Sequence, residues 1–332
     1  MAMVTLKDVA AQCGVSPATV SRALNSGHTR TEKTKRIRQT ADRMGYRPNA
    51  NARALKTNRS RCIGILYEGV MRHEYFSSLI DGIRDSAEQG GYDLCFLSRR
   101  FEDRTDTYIS QAGYRMLDGV IVVQADFGSP RIKALATAGI PVVCIDGTLE
   151  NGLQVESDNA KGMETLAGYV LDKGHRRVAY IRGEEGEVTR KRYGGFCAAF
   201  EKRGLDPQTA VCYQARYRAP ETCLAALDEI LRMEDRPTCI FFPDDFSCAA
   251  GIGLLHARGI RVPEDISAAG YDGIEVGRVM HPRLTTYRQD TSCMAETAVR
   301  MLLEAMGGRT EEGRALFTAE GCLIPGETVR EI

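Results

Sequence analysis

From Cys62 onward, short apolar runs alternate with amphipathic stretches along the 332-residue chain. This alternation is the strongest constraint on the fold. Ile63–Tyr67, Leu94–Leu97, Gly119–Val123, Val142–Ile145, Val178–Ile181, Cys239–Phe242 and Ile266–Ala269 have strand length. Tyr75–Gln89, Pro130–Ala138, Asn159–Leu171, Arg192–Arg203, Pro220–Arg232 and Phe246–Ala257 have helical spacing. Strands that alternate with helices at this interval form parallel sheets covered by helices on both faces. The strands are too many for one compact sheet, so two lobes are expected.

The first sixty residues follow a different rule. Thr5 can cap a helix whose third position is Asp8 and whose inward face is Leu6, Val9, Ala10 and Cys13; Gly14 can end it in the left-handed conformation. Ser16 can cap a second helix with Pro17 at its first position and Val20 and Leu24 facing inward. Thr31 can cap a third, with Ile37, Ala41 and Met44 inward, Gly45 at its end and Pro48 preventing continuation. Two short helices joined by a glycine-containing turn and closed by a third make a helix-turn-helix unit. Its second helix presents Pro17, Ala18, Ser21 and Arg22 outward, where a major groove would be read.

Net charge is zero, but it is segregated. Residues 1–60 hold 12 Lys/Arg against 3 Asp/Glu, and the remainder holds 32 against 41. A basic head on an acidic body points to a polyanionic partner for the head alone. Other classes find little support. No apolar run approaches the ~20 residues of a membrane span, and Met1–Asp8 opens without an apolar signal region, so a cytoplasmic protein is expected. The 11 cysteines are odd in number, lack C-x-x-C spacing and sit in apolar stretches such as those around Cys95, Cys144 and Cys239, as reduced thiols do. The histidines show no ligand spacing, so neither a metal nor another cofactor is expected. Phosphate-binding and nucleophile-elbow motifs are absent, so an enzyme is not expected. Asp244-Asp245 reads as a hydroxyl clamp or a helix cap.

The segments Thr5–Ala10, Gly14–Ser16, Ala18–Arg22, Leu24-Asn25, Gly45–Asn49 and Ala52–Leu55, with Thr34, closely resemble the head of the lactose-repressor/galactose-repressor family. The resemblance implies a DNA-contacting set of Thr5, Ser16, Pro17, Ala18, Thr19, Ser21, Arg22, Asn25, Arg53, Leu55 and Lys56. It also implies a hinge helix over Asn49–Lys56 that folds on DNA, with Leu55 inserted at the central base step as an apolar wedge. Asn51 departs from the branched apolar residue usual there. Arg53, Lys56 and Arg59 suit flanking phosphates.

The body resembles the family's periplasmic-binding-protein-like sensor. That implies two lobes joined by crossings near residues 158, 289 and 320, with a ligand between them. Motif by motif, the effector set is Tyr75, Phe76, Asp146, Arg192, Tyr217, Asp244 and Asp272, with Asp158-Asn159 at the cleft edge. Asp244 stands where the family has asparagine. The chemistry suits a sugar: carboxylates accept hydroxyl protons, a guanidinium donates a fork, and an aromatic ring stacks on C–H groups. Asp272 and Arg192 are expected to face each other across the cleft. Acceptors at Asp244 and Asp272 favour a neutral sugar, whereas Arg190–Arg192 leaves room for a carboxylate or phosphate.

The fold expected is an all-α helix-turn-helix head with a hinge helix, joined to a two-lobed α/β sensor with parallel sheets. Its divisions are 1–48 (head), 49–60 (hinge and linker), 61–158 with 289–320 (first lobe) and 159–288 with 321–332 (second lobe). The function expected is ligand-responsive transcriptional regulation by a homodimer on a pseudo-palindromic operator, repression being the family habit. The alternative is a free-standing sugar-binding protein.

Overall fold

The computed structural model describes residues 4–25, 31–47, 54, 59–69, 73–98, 107–150, 152–308 and 316–332. It contains two compact units, Met1–Ser60 and Arg61–Ile332.

In the first unit, α1 (Leu6–Cys13), α2 (Pro17–Asn25) and α3 (Glu32–Arg43) enclose Val9, Ala10, Val20, Ala23, Ile37, Ala41 and Tyr46. The boundaries follow from local chemistry. Thr5 and Asp8 form a reciprocal capping box, and Gly14 ends α1 at φ 65°. The Ser16 hydroxyl accepts the Thr19 amide at 3.2 Å, and Thr31 accepts that of Thr34 at 3.3 Å. The hinge expectation, with Asn51, Arg53, Leu55 and Lys56, lies outside the described residues.

The second unit runs β1 (Cys62–Tyr67), α4 (Glu74–Gln89), β2 (Asp93–Phe96), α5 (Tyr108–Tyr114), β3 (Gly119–Val123), α6 (Pro130–Lys133), β4 (Val142–Ile145), β5 (Leu153–Ser157), α7 (Asn159–Asp172), β6 (Val178–Arg182), α8 (Glu187–Glu201), β7 (Val211–Gln214), α9 (Pro220–Leu231), β8 (Cys239–Phe241), α10 (Asp245–Ala257), β9 (Ser267–Ala269), α11 (Glu275–Val279), β10 (Thr286–Arg288), α12 (Thr291–Met306), β11 (Leu316–Ala319) and β12 (Cys322–Ile324). One six-stranded sheet has the order β11-β5-β4-β3-β1-β2, and one four-stranded sheet has the order β7-β6-β8-β9. Both are parallel throughout. β10 and β12 form a separate antiparallel pair. The continuous apolar runs become strands buried on both faces, with Gly119–Val123 and Val142–Ile145 buried at every position.

The first lobe is discontinuous in sequence. Helix α12 returns to it and contributes Met294, Ala295, Ala298, Val299, Met301 and Leu302 to a core shared with Ile63, Ile65, Leu79 and Ile83. β11 then pairs with β5. The second lobe is built around Ala179, Ile181, Leu227, Ile240 and Phe242 on one sheet face, and Leu166, Tyr180, Phe196 and Phe241 on the other. Strand β5 (Leu-Gln-Val-Glu-Ser) and edge strands β7 and β11 are absent from the expected set. Each carries polar or half-exposed positions, so none reads as an apolar run. All 11 cysteines are free thiols.

Candidate functional site

In the head, α2 exposes Pro17, Ala18 and Arg22, with Thr19 and Ser21 half-buried beside them. Three of the expected DNA contacts also hold helix ends. The Thr5 hydroxyl donates to Asp8 Oδ2 at 2.7 Å, and the Ser16 and Thr19 hydroxyls are 2.9 Å apart. Asn25 closes α2. Lys7, Lys33, Lys35, Arg36, Arg43 and Arg47 are exposed around the three helices.

Between the lobes of the second unit lies a cavity of about 600 Å³. The first lobe supplies Tyr75 and Phe76 from the start of α4, Gln124–Gly128 after β3, and Asp146–Thr148 after β4. The second lobe supplies Glu184–Thr189 and Arg192 around the start of α8, Tyr217 and Arg218 after β7, Asp244 after β8 and Asp272 after β9; Gln289 enters from the crossing after β10. These positions follow β3, β4, β6, β7, β8 and β9 and lie at the carboxyl ends of those parallel strands, where open α/β sheets place ligand sites. Gln124, Asp146, Arg218 and Asp272 all have positive φ, at 43°, 53°, 56° and 112°. Such backbone is costly for residues other than glycine and clusters at ligand sites.

Arg192 is the most tightly held of the wall residues. Its Nε donates to Asn159 Oδ1 at 2.8 Å, Nη1 donates to the Pro243 carbonyl at 3.0 Å, and the guanidinium lies 3.7 Å from the Tyr271 ring centroid. Burial opposes its charge, but Tyr217, Tyr271 and Asp272 outweigh that and raise its pKa. The helix that carries it packs closely on α7: a methyl at Gly195 would run into the Ala160 carbonyl oxygen. Asp272 lies beside Arg192, with Nη2 and Oδ1 3.7 Å apart. Both belong to the second lobe, so they do not face each other across the cleft as the sequence suggested. The loop after β9 and the first turns of α8 converge at the carboxyl ends of the strands of the same sheet.

Asp272 accepts a 2.7 Å hydrogen bond from Gln289 Nε2. Burial pushes its carboxyl up to about 7, with Arg192 pulling the other way. Against it sits His73, a buried imidazole whose Nε2 is 3.8 Å from Asp272 Oδ2. Neither His73 nitrogen has a hydrogen-bond partner among the described residues, and burial lowers its pKa to about 4.

The other expected residues divide by what they touch. Tyr75 is buried, and its hydroxyl donates to Asp146 Oδ2 at 2.7 Å; burial raises the pKa of both groups. Asp146 Oδ1 also accepts the Ser157 amide at 3.2 Å. Tyr217 shares a 2.9 Å hydroxyl contact with Thr189, and Arg192 lies over its ring at 5.3 Å. Asp244 acts as a cap. Its Oδ1 accepts the Ser247 amide at 2.8 Å, and its Oδ2 accepts the Arg218 amide at 2.8 Å and the Ser247 hydroxyl at 3.1 Å. Those bonds fix the carboxylate where it lines the cavity. Asp158 caps α7 through the Lys161 amide. Of the basic run, Arg190 is exposed, Lys191 pairs with Glu156 at 2.6 Å and Glu187 at 2.9 Å, and only Arg192 lines the cavity.

Sequence reasoning missed His73, Gln124, Arg218 and Gln289. Arg218 adjoins Tyr217, which was named, and Gln289 stands at an expected crossing. His73 and Gln124 carried no signal.

Comparison with known proteins places the chain. Residues 5–49 match the bacterial regulatory proteins of the lacI family, and residues 167–329 match a periplasmic binding protein-like domain. A curated relative, the HTH-type transcriptional repressor PurR of Vibrio vulnificus (strain CMCP6), is 31% identical over 337 residues, covering 99% of this chain and all of its own. The chain belongs to the lacI family. It is therefore a transcriptional regulator with a helix-turn-helix DNA-binding head and a ligand-binding body. Two solved structures share the fold. The lac repressor dimer bound to operator and the anti-inducer ONPF has a TM-score of 0.85 at 22% identity, covering 99% of this chain and 100% of that one. A lacI-family regulator from Enterococcus faecium with bound ribose has a TM-score of 0.72 at 21% identity, covering 82% of this chain and 99% of that one. Among the described residues, no helix is long and apolar enough to cross a membrane, and no cluster of His, Cys, Asp and Glu could hold a metal ion.

Proposed function

We propose that this regulator is a cytoplasmic, homodimeric repressor that binds a pseudo-palindromic operator through α2 and senses a small, hydroxyl-rich, sugar-like effector in the interlobe cavity. The observation that carries the effector reading is the cavity wall itself. It combines the rings of Phe127 and Tyr217 with a fixed guanidinium at Arg192 and a buried carboxyl at Asp272. Rings take the apolar face of a sugar, and the polar groups take its hydroxyls. Ribose in the Enterococcus faecium regulator accords with this.

The division of labour proposed is 1–48 for DNA reading, 49–60 for the hinge, and two lobes, 61–158 with 289–320 and 159–288 with 321–332, for sensing. In the head, Arg22 reads a guanine edge, Pro17 and Ala18 read by methyl contact and exclusion, and Thr5, Ser16, Thr19, Ser21 and Asn25 position the helix. In the hinge, Leu55 wedges the central step, with Arg53 and Lys56 on phosphates. In the cleft, Tyr75 acts by holding Asp146. The effector changes operator affinity by no more than its unequal affinity for the two lobe arrangements.

Two measurements test this. A mobility-shift assay with palindromic operators should show dimer binding, weakened by Leu55→Ala without loss of the sensor fold. A thermal-shift screen of sugars, sugar derivatives and purines should give a sugar-like hit that Asp272→Ala removes. A purine hit alone would overturn the effector class.

A further inference from the structure

We infer that the effector carries a carboxylate and that Arg218 is the residue that selects it. This rests on the sugar-like reading of the cavity and narrows it to a sugar acid.

Arg218 reaches from the second lobe toward the first. Its guanidinium lies 4.9 Å from the Phe76 ring centroid, so it covers the aromatic face at one wall of the cavity. With its amide oxygen turned inward, Gln124 accepts from both terminal nitrogens of Arg218, Nη1 at 2.6 Å, while its amide nitrogen donates to the Tyr67 hydroxyl at 3.0 Å. A neutral amide and a ring are therefore the guanidinium's contacts. Among the described residues, no carboxylate lies within 4 Å of it, whereas the Arg192 guanidinium is tied at Asn159, Pro243 and Asp272. Arg218 holds this pose on left-handed backbone, with its amide anchored on the Asp244 cap.

A half-buried guanidinium with no carboxylate in direct contact, and Asp272 acting on it only from a longer distance, is a matched receptor for one. Its planar fork binds a carboxylate through two parallel hydrogen bonds, and each charge offsets the desolvation of the other. The repulsion expected from acids in the wall is smaller than the composition suggests. Asp244 is committed to three hydrogen bonds as a helix cap. Asp146 is engaged by Tyr75 and the Ser157 amide. Burial holds Asp272 partly protonated near neutral pH. A phosphate fits less well. It brings more charge past Glu184, Glu185 and Glu187 on the second-lobe wall and needs more donors than one fork supplies. Neutral sugars would leave the fork facing an amide and a ring.

The test is isothermal titration of the full-length protein with matched series: D-glucose, D-gluconate, D-glucuronate and D-glucose 6-phosphate, and the corresponding galactose compounds. The expected result is that at least one acid binds tenfold or more tighter than its neutral parent and its phosphate. Arg218→Gln should then cost that acid at least tenfold, and Arg218→Lys should recover part of the loss. A neutral aldose or a phosphate that binds as tightly as its acid overturns the inference. So does an acid preference that survives Arg218→Gln. The wild-type series decides the ligand class even if a variant fails to fold. If no member of any series binds, the sugar-like reading itself fails, and this inference fails with it.

Discussion

In the head, the residues proposed to read DNA are neighbours in sequence: Pro17, Ala18, Ser21 and Arg22 lie along one nine-residue helix. In the sensor, the cavity is assembled from loops scattered over most of the unit, and each important side chain is defined by partners far away in the chain. Arg192 is held by Asn159, Pro243 and Tyr271. The head presents exposed charge and shape, for which water and salt compete. The sensor cavity instead presents buried groups such as Asp272, Asp146 and Tyr75, whose charge states are set chiefly by desolvation.

The contrast is sharpest in salt. If the dimer neutralises six to ten phosphates, operator affinity should fall by roughly 10³–10⁵ between 50 and 200 mM salt, whereas affinity for the effector should change only a few-fold. A flat operator titration would break the electrostatic account of the head.

Next in size is Arg192→Ala. It leaves the Asn159 and Pro243 acceptors and the Asp272 carboxyl without their cation. Removing one partner of such a buried network costs about 3–5 kcal/mol, measured as urea unfolding of the sensor. The head should be untouched, so operator DNA should still be bound wherever the sensor remains folded.

Asp272→Asn probes the same wall through pH. The Asp272 carboxyl titrates near 7 in the folded protein, well above its ordinary value. The folded state therefore holds a proton that the unfolded state has released, and stability attributable to this group falls as pH rises from about 4 to about 7. Asparagine never takes the charge, keeps an oxygen for Gln289, and offers an N–H toward His73. The variant should be the more stable one at pH 8, by a few kcal/mol at most since one pKa unit is ~1.4 kcal/mol, and the advantage should shrink toward pH 5. An advantage that is flat with pH would show that Asp272 ionises normally. His73 acts in the opposite sense. Its lowered pKa removes stability as pH falls from about 6.5 toward about 4.

The smallest effect belongs to Arg22→Ala. A bidentate guanine contact is worth about 1–3 kcal/mol, and its loss should relax preference at one base pair per half-site in a binding-site selection. Equal weakening on all sequences would reduce Arg22 to a phosphate contact.

The same contrast explains what could be read from residues alone. Thr5–Asp8, Gly14, Ser16–Thr19 and Thr31–Thr34 act within four residues of each other, so the head's helices were legible to within a residue or two. The strands buried on both faces were legible too, because Gly119–Val123 and Val142–Ile145 are uninterrupted apolar runs. Leu153–Ser157 was not, because its polar positions mask its place between β4 and β11. Most of the cavity's named residues do line it, but their roles depended on contacts the sequence does not display. Asp244 lines the cavity as expected, but its bonds to Ser247 and the Arg218 amide could not be read from the sequence. Arg218 and His73 matter only because the lobes meet.

The return of α12 and β11 to the first lobe has a consequence for how the protein is made. A nascent chain that has emerged as far as the end of β10 possesses every strand of the first sheet except β11, yet it lacks the helix that contributes Met294 to Leu302 to the core beneath Leu79 and Ile83. Until α12 and β11 leave the ribosome, that apolar face and the outer edge of β5 stay uncovered. Exposed faces and edges of this kind are where chains associate wrongly. All four strands of the second lobe's sheet lie between these two instalments of the first, so that sheet can form while the first lobe is still waiting for its final strand.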